Sequence, residues 1–397
     1  MVLQKLKLRD VCEIDGARNL HRDIPYIGME DIQSNTGRFL GKLDPRGVKS
    51  STFYFTSQHL LYGRLRPYLN KVLLPSFHGH CSTEIFPLRP NGRIDKKFLF
   101  YWITSEPIVE RINKTCTGAR MPRANMKQVL DLEIQVPSLQ EQKRIVAVLA
   151  KAFEATAKVK ESAQKNLANA RELFESGLQN VFDNPGDGWE KIELSDLCEI
   201  KHGFAFDGDD FDTDYAGKNS IVLTPGNFNE SASLCFTPKN TKRYKGKVLS
   251  RWQFSKGDLV VVMTDLSSQM KILGKPAFIE QKNILHNQRI GKFVFKDSKV
   301  SSRYIYYYLQ TKQYLAKIRE TATGTMVKHT APKRILNNSI YVPPMHMQID
   351  ITARLDSLSV ETRNLEAIYN KKISMLEELK KSILRKAFSG ELAGVKS

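Results

Sequence analysis

Across 397 residues the chain carries 61 Lys and Arg against 42 Asp and Glu, a net charge of +19 and a pI near 9.6, with 41% hydrophobic and 26% charged residues. That composition excludes a wholly disordered chain and the length suffices for two cores, while the charge points to a polyanionic partner, most often nucleic acid. No stretch approaches the roughly eighteen apolar residues of a membrane span.

The opening Met1-Val2-Leu3-Gln4-Lys5 lacks the apolar centre of a secretory leader. Five cysteines (Cys12, Cys81, Cys116, Cys198, Cys235) form no CxxC pair and no zinc spacing, so reduced thiols and a cytoplasmic location are expected. Strand-like runs follow at Phe53-Tyr54-Phe55 and Lys71-Val72-Leu73-Leu74, and between them Gly63-Arg64-Leu65-Arg66-Pro67-Tyr68-Leu69-Asn70-Lys71 interleaves basic, amide and aromatic groups. After the turn Arg89-Pro90-Asn91-Gly92 a helix is predicted over Lys97–Lys114, with Phe98, Tyr101 and Trp102 spaced as a buried stripe. The loop from Thr117-Gly118 to Lys127 presents Arg120, Arg123 and Lys127 just after a flexible glycine turn. A strand at Leu132–Val136 then reaches the stop Pro137-Ser138.

Beyond it no proline occurs until Pro185, and Ile145, Leu149, Ala152, Thr156, Val159, Ala163, Leu167, Ala170, Phe174, Leu178 and Val181 recur every 3.6 residues on average, the period of a long α-helix. Lys151, Glu154, Lys158, Lys160 and Glu161 are assigned to its opposite face. The turn from Phe182 to Trp189 restarts the pattern. An acidic run (Asp207, Asp209, Asp210, Asp212, Asp214) lacks the terminal Glu of a calcium loop and reads as a solvated loop. Strands are expected at Leu259–Met263, Arg289–Phe295 and Ser339–Val342, and a helix at Ser302–Glu320 with Tyr304, Tyr307 and Tyr308 buried. The basic loop Thr323–Arg334 carries Lys328, His329, Lys333 and Arg334; Asn287, Gln288, Arg289 and Lys271 add weaker basic or amide groups. A second long helix follows Pro343-Pro344, with Ile351, Leu355, Leu358, Thr362, Leu365, Tyr369, Ile373, Leu376 and Leu384 apolar or small, and Glu361, Glu366, Lys371, Lys372, Glu377 and Glu378 assigned to the other side.

The second half repeats the first. Phe98/Tyr304 to Phe182/Phe388 match without a gap at an offset of 206 residues, through Thr117-Gly118/Thr323-Gly324, Lys127/Lys333, Gln142/Gln348, Ile145/Ile351 and Leu149/Leu355. Leu8-x-Asp10-x-Cys12-Glu13-Ile14 matches Leu194-x-Asp196-x-Cys198-Glu199-Ile200 at an offset of 186, so the second copy has gained twenty residues in its first half. Residues 1–137 carry 21 basic and 13 acidic groups and residues 183–343 carry 24 and 17, so the positive excess sits on the two variable blocks. The expected organisation is a mixed α/β chain: a pseudo-symmetric α+β block at 1–137, a long helix at 138–182, a second block at 183–343, a second long helix at 344–388 and a tail at 389–397. A helix of about 45 residues runs roughly 67 Å, too far to cover its apolar stripe with its own block, so the two helices are expected to pair as an antiparallel coiled coil with a block at each end.

Catalytic signatures are absent: no phosphate loop, no dinucleotide fingerprint, no nucleophile elbow, and no Asn/Asp/Ser-Pro-Pro-Tyr/Phe tetrapeptide of amino-methyltransferases. His78-Gly79-His80 is too isolated to argue for a metal. The chain reads as a binder. The residues suited to DNA are Arg64, Arg66, Asn70, Lys71, Arg120, Arg123 and Lys127 in the first block, and Lys271, Asn287, Gln288, Arg289, Lys328, His329, Lys333 and Arg334 in the second. Lys and Arg hold phosphates, and Arg, Asn and Gln make bidentate contacts to base edges.

The run Gly63–Lys71, the Thr117-Gly118 loop, Val136-Pro137-Ser138-Leu139-x-Glu141-Gln142-Lys143-Arg144-Ile145 and the closing Ser382–Leu392 resemble the DNA-specificity subunits of type I restriction–modification enzymes over nearly the whole chain. The second copy departs from that pattern, with Met345-His346-Met347-Gln348 for Leu-x-Glu-Gln and Asp265-Leu266-Ser267-Ser268 where the first has Arg66-Pro67-Tyr68. The resemblance implies two target-recognition domains reading a bipartite, asymmetric double-stranded DNA target. It implies two modification subunits that methylate adenine N6 with S-adenosylmethionine, and two restriction subunits that use ATP and magnesium to translocate and cut. This chain would be non-catalytic and hold no cofactor or metal. Two other classes compete: a two-domain DNA-binding regulator without associated enzymes, and a coiled-coil adaptor, which accounts for the helices but not for the charge on both blocks.

Overall fold

The computed structural model describes residues 4–212, 217 and 219–389; Asp214 and the tail beyond Ser389 lie outside that set. The chain divides into two compact units, residues 1–165 with 369–397, and residues 166–368. Each unit contains one sheet-rich domain and one half of each long helix, Leu139–Asp183 and Met345–Phe388.

The first domain is closed at its ends. Strand Gln4–Lys7 runs antiparallel to Glu133–Val136, with Gln4 opposite Val136. Between them lie two four-stranded sheets. One is antiparallel in the order Cys12–Ile14, Ile85–Pro90, Leu60–Gly63, Val72–Leu73. The other orders Arg18–Asn19, Thr52–Phe55, Gly79–Cys81 and Tyr26–Ile27, the last pair parallel. Leu60–Gly63 shows why a continuous apolar run forms a strand here. Alternate side chains point to opposite faces, so Leu60 and Tyr62 enter the core shared with the helices while Leu61 enters the core beneath the second sheet. Both faces are covered, and no polar alternation remains to be seen.

The second domain repeats the frame. Glu190–Glu193 clasps Ser339–Val342 in the same register, and Leu259, Val261 and Met263 go to one core while Val260 and Val262 go to the other. The added residues can be placed. The offset grows from 186 at Cys12/Cys198 to 199 at Leu60/Leu259 and 205 at Ile85/Ile290. Most of the insertion therefore precedes Leu259, and the strand Lys242–Tyr244 within it pairs with both Phe211–Asp212 and Ile221–Leu223.

Each predicted mid-domain helix is two helices. Lys96–Ile103 and Glu106–Asn113 break at Ser105, with Pro107 in the first turn of the second piece; Ser302–Tyr308 and Lys312–Glu320 break at Thr311, whose hydroxyl accepts from the Tyr314 N–H. Phe98, Trp102, Tyr304, Tyr307 and Tyr308 are core, as their spacing indicates.

The long helices measure 45 and 44 residues. In the first unit Lys160 pairs with Glu377 and the Lys380 ammonium lies 5.2 Å over the Phe153 ring; in the second, Arg171 pairs with Glu366 and Leu178 packs with Leu355. Rising numbers on one helix meet falling numbers on the other, so the halves in each unit are antiparallel. Four side-chain assignments change. Val159 is exposed and Phe153 is packed in its place, and Lys160, Glu366 and Glu377 flank the apolar seam instead of facing away from it.

Gln142 and Gln348 set the angle at which each domain meets its helix. Gln142 accepts from the Asp95 N–H at 2.6 Å and donates to the Arg93 and Pro137 carbonyls; Gln348 accepts from the Ser301 N–H at 2.8 Å and donates to Lys299 and Pro343. Both side chains are fully buried, and all six partners are related by the same offset of 206.

Candidate nucleic-acid interface

In each domain the Thr-Gly loop is a pinned hairpin. Thr117 and Arg123 exchange two backbone hydrogen bonds of 3.0 Å, and Thr323 and His329 do the same at 3.0 and 2.9 Å. Gly118 and Gly324 lie at φ +89° and +93°, a region costly to side chains with a Cβ, and a Cβ on Gly324 would fall 2.0 Å from the Val327 carbonyl oxygen. The hairpin is fixed to the strand beside it: the Ala124 N–H donates to the Arg64 carbonyl, and the Thr330 N–H to Met263. That strand is fixed in turn to the next, Arg64 N–H to Glu84 and Met263 N–H to Arg289.

The backbone is conserved between the copies and the side chains on it are not. Arg64, Glu84 and Arg123 in the first domain correspond to Met263, Arg289 and His329 in the second. Glu84 accepts from Arg64 Nε at 3.0 Å and from Arg123 Nε at 2.8 Å, and the Arg64 guanidinium also lies over the Phe86 ring. Those two cations are therefore oriented by a carboxylate. Arg66 sits at φ +50° with an exposed side chain, and Arg120, Met121 (42% exposed) and Lys127 are also outward. Among the described residues the side chains of Arg66, Arg120 and Lys127 make no hydrogen bond or ion pair, which leaves them available to phosphate or base. Asn70 and Lys71 are turned inward instead: Asn70 Nδ2 donates to the Thr104 carbonyl and Lys71 Nζ to Met29. The Asn70 Oδ1 is buried without a partner.

In the second domain the counterpart of Arg66 is Asp265, 3% exposed, which accepts from the Ser267 and Ile272 N–H groups and faces Lys328 across a two-residue ladder. His329 Nδ1 lies 3.1 Å from Thr264 Oγ1, and Arg334 reaches Thr323 Oγ1. Lys333 is exposed, and Met326 at the hairpin tip is 81% exposed. Asn287 is buried and accepts from the Arg289 N–H, forming the turn that holds Gln288 and Arg289 outward. Lys271 is occupied with Glu230 at 3.1 Å. Beneath the turn, burial pushes His286 down to about 4, so the imidazole is neutral, and its Nε2–H donates to the Ile290 carbonyl at 2.8 Å.

Glu84 was invisible to sequence reasoning because it lies 20 and 39 residues from its two arginines. Among the described residues no cluster of His, Cys, Asp and Glu is arranged to hold a metal, and no helix is long and apolar enough to cross a membrane.

A duplicated frame with reprogrammed, mostly cationic loops defines a two-domain polyanion reader. The family described as the type I restriction modification DNA specificity domain matches residues 3–168 and again 186–375, and the chain belongs to that family. It is 28% identical over 182 residues to the type I restriction enzyme EcoDI specificity subunit of Escherichia coli, a match covering 45% of this chain and 40% of that protein. It is 25% identical over 333 residues to the MjaVIII specificity subunit of Methanocaldococcus jannaschii, covering 79% of this chain and 74% of that one. Its fold is similar to a chain solved in work on complex assembly and conformational transition of the type I R-M system (TM-score 0.77, 21% identity, 97% of both chains). It is also similar to the HsdS subunit from Thermoanaerobacter tengcongensis (TM-score 0.57, 20% identity, 98% of this chain and 97% of that one).

Proposed function

We propose that this chain is the specificity subunit of a type I restriction–modification enzyme, each domain reading one half of a bipartite, asymmetric double-stranded DNA target. The observation that carries the reading is the charge reversal on a shared backbone: Glu84 flanked by two arginines in one copy stands where Arg289, Met263 and His329 stand in the other. One frame with two chemistries suits a target with two unlike halves. Arg66, Arg120 and Lys127 serve the first half-site, and Gln288, Arg289, His329 and Lys333 the second. Arg64, Arg123, Asn70, Lys71, Asn287 and Lys328 shape the loops that present them. The chain contributes recognition and no chemistry. Two modification subunits bring S-adenosylmethionine and methylate adenine N6, and two restriction subunits bring ATP and magnesium.

The test replaces residues 183–343 with the same block of a relative and maps adenine methylation across the host genome. The half-site read by the second domain should change while the other is kept; both changing together would sink the two-reader model.

A further inference from the structure

The second domain has a surface the first lacks. Phe204 is 43% exposed, its ring centroid 5.6 Å from Trp252 at an interplanar angle of 33°, and the Arg251 guanidinium lies 5.2 Å over the Trp252 ring. Phe206 packs edge-on behind Phe204 and is held in turn by Tyr244, so the platform has a rigid back and an open front. Positions in the first domain differ in kind: Arg18 stands for Phe204 and lies over Phe53, the counterpart of Trp252, which is buried.

Two further observations say what the platform faces. From Lys239 to Lys256 the chain carries seven basic residues and no acidic one, and this run ends the segment where the second copy is longer; Lys242 lies over the Phe211 ring and Lys245 3.9 Å from Asp212, while Arg251 sits on the platform itself. The platform is also tied to the recognition loops: the Phe204 N–H donates to His286 and the Gln288 N–H donates back to Phe204, so the Gln288-Arg289 turn adjoins it. An exposed ring (Phe204) beside a half-buried one (Trp252) and a run of cations is what a nucleic-acid strand needs when its bases are not paired, since every base has a face to stack and the cations follow its phosphates.

We propose that Phe204, Trp252 and Arg251 form a stacking site for an unpaired nucleobase, on a strand carried by the cationic run from Lys239 to Lys256. The site rests on the reading that the second domain faces DNA, and it adds a ligand chemistry that duplex recognition does not require. A base would lie against Phe204 and the Trp252–Arg251 pair, with Gln288 and Arg289 at its edge.

The full chain is titrated with a single-stranded oligothymidylate of about 15 nucleotides and, separately, with a random-sequence duplex. Phe204→Ala should weaken oligothymidylate binding about five- to hundredfold with the salt slope unchanged, because stacking releases no counterions. Phe204→Tyr should restore it, and duplex affinity should move little. Oligothymidylate should also quench tryptophan fluorescence, and Trp252→Phe should remove that quench while leaving affinity largely intact; Trp102 and Trp189, the other two tryptophans, lie elsewhere. Wild-type affinity in Phe204→Ala, or a quench that survives Trp252→Phe, overturns the stacking site. Absence of duplex binding by the wild-type chain overturns instead the reading on which it rests.

Discussion

Glu84 decides how the arginines of the first domain behave. Arg123 shares this carboxylate with Arg64, whereas Arg120, three residues away in the same hairpin, has an exposed side chain. Arg120→Ala should leave the melting temperature unchanged and flatten the dependence of DNA affinity on salt by about 0.9 per lost phosphate contact. Arg123→Ala should instead leave that salt slope nearly unchanged and destabilise the protein by about 0.2–1 kcal/mol, a modest figure because the pair is partly solvated. Paired salt titrations and melts separate the two, and identical behaviour of both variants would return Arg123 to the contact surface. His286 offers a second test. Its imidazole takes a proton near 6.5 when unfolded and only at about 4 when folded, so unfolding takes up a proton between those values. Stability should be full above pH 6.5 and fall as pH drops toward 4. Melts at pH 7, 5.5 and 4.5 should show that slope weakened in His286→Gln.

At the scale of elements, the buried glutamines carry more than any single apolar contact. Gln142→Leu would strand the Asp95 N–H and two carbonyls in a dry joint, at about 1–3 kcal/mol per uncompensated group, and should lower the unfolding free energy read from a urea titration by at least about 3 kcal/mol. Gln348→Leu should behave alike; a loss below about 1 kcal/mol in both would mean that water re-satisfies the joint. These elements were largely legible beforehand. The ungapped offset from Phe98/Tyr304 onward placed both glutamines, both hairpins and both long helices, because local periodicity and copied spacing report on local structure. The breaks at Ser105 and Thr311 escaped because aromatic spacing continues across them, although Pro107 was a signal for the first. The loop chemistry was less legible. Asn70 and Lys71 look like contact residues in sequence and turn inward because Thr104 and Met29, more than thirty residues away, offer them carbonyls. Phe204 and Trp252 meet across 48 residues of chain, a distance no pattern spans.

For the whole molecule, separate cores imply separable effects. Arg120 belongs to the unit formed by 1–165 with 369–397, and Arg289 to the unit 166–368. The losses in DNA affinity from Arg120→Ala and Arg289→Ala should therefore add to within about 0.5 kcal/mol in a double-mutant cycle, and a larger coupling would show one shared surface. The same division has a consequence for synthesis. The unit 166–368 is continuous in the chain, whereas the other is assembled from two pieces on either side of it. As the protein leaves the ribosome, Ile145 and Leu149 wait for Leu384 and Ala387, which complete their core. At 5–20 residues per second the intervening stretch takes about 10–40 s to make. During that interval the later-numbered unit can close while the earlier one presents an uncovered apolar helix, the stage at which a chaperone or a neighbouring nascent chain has its best chance of binding.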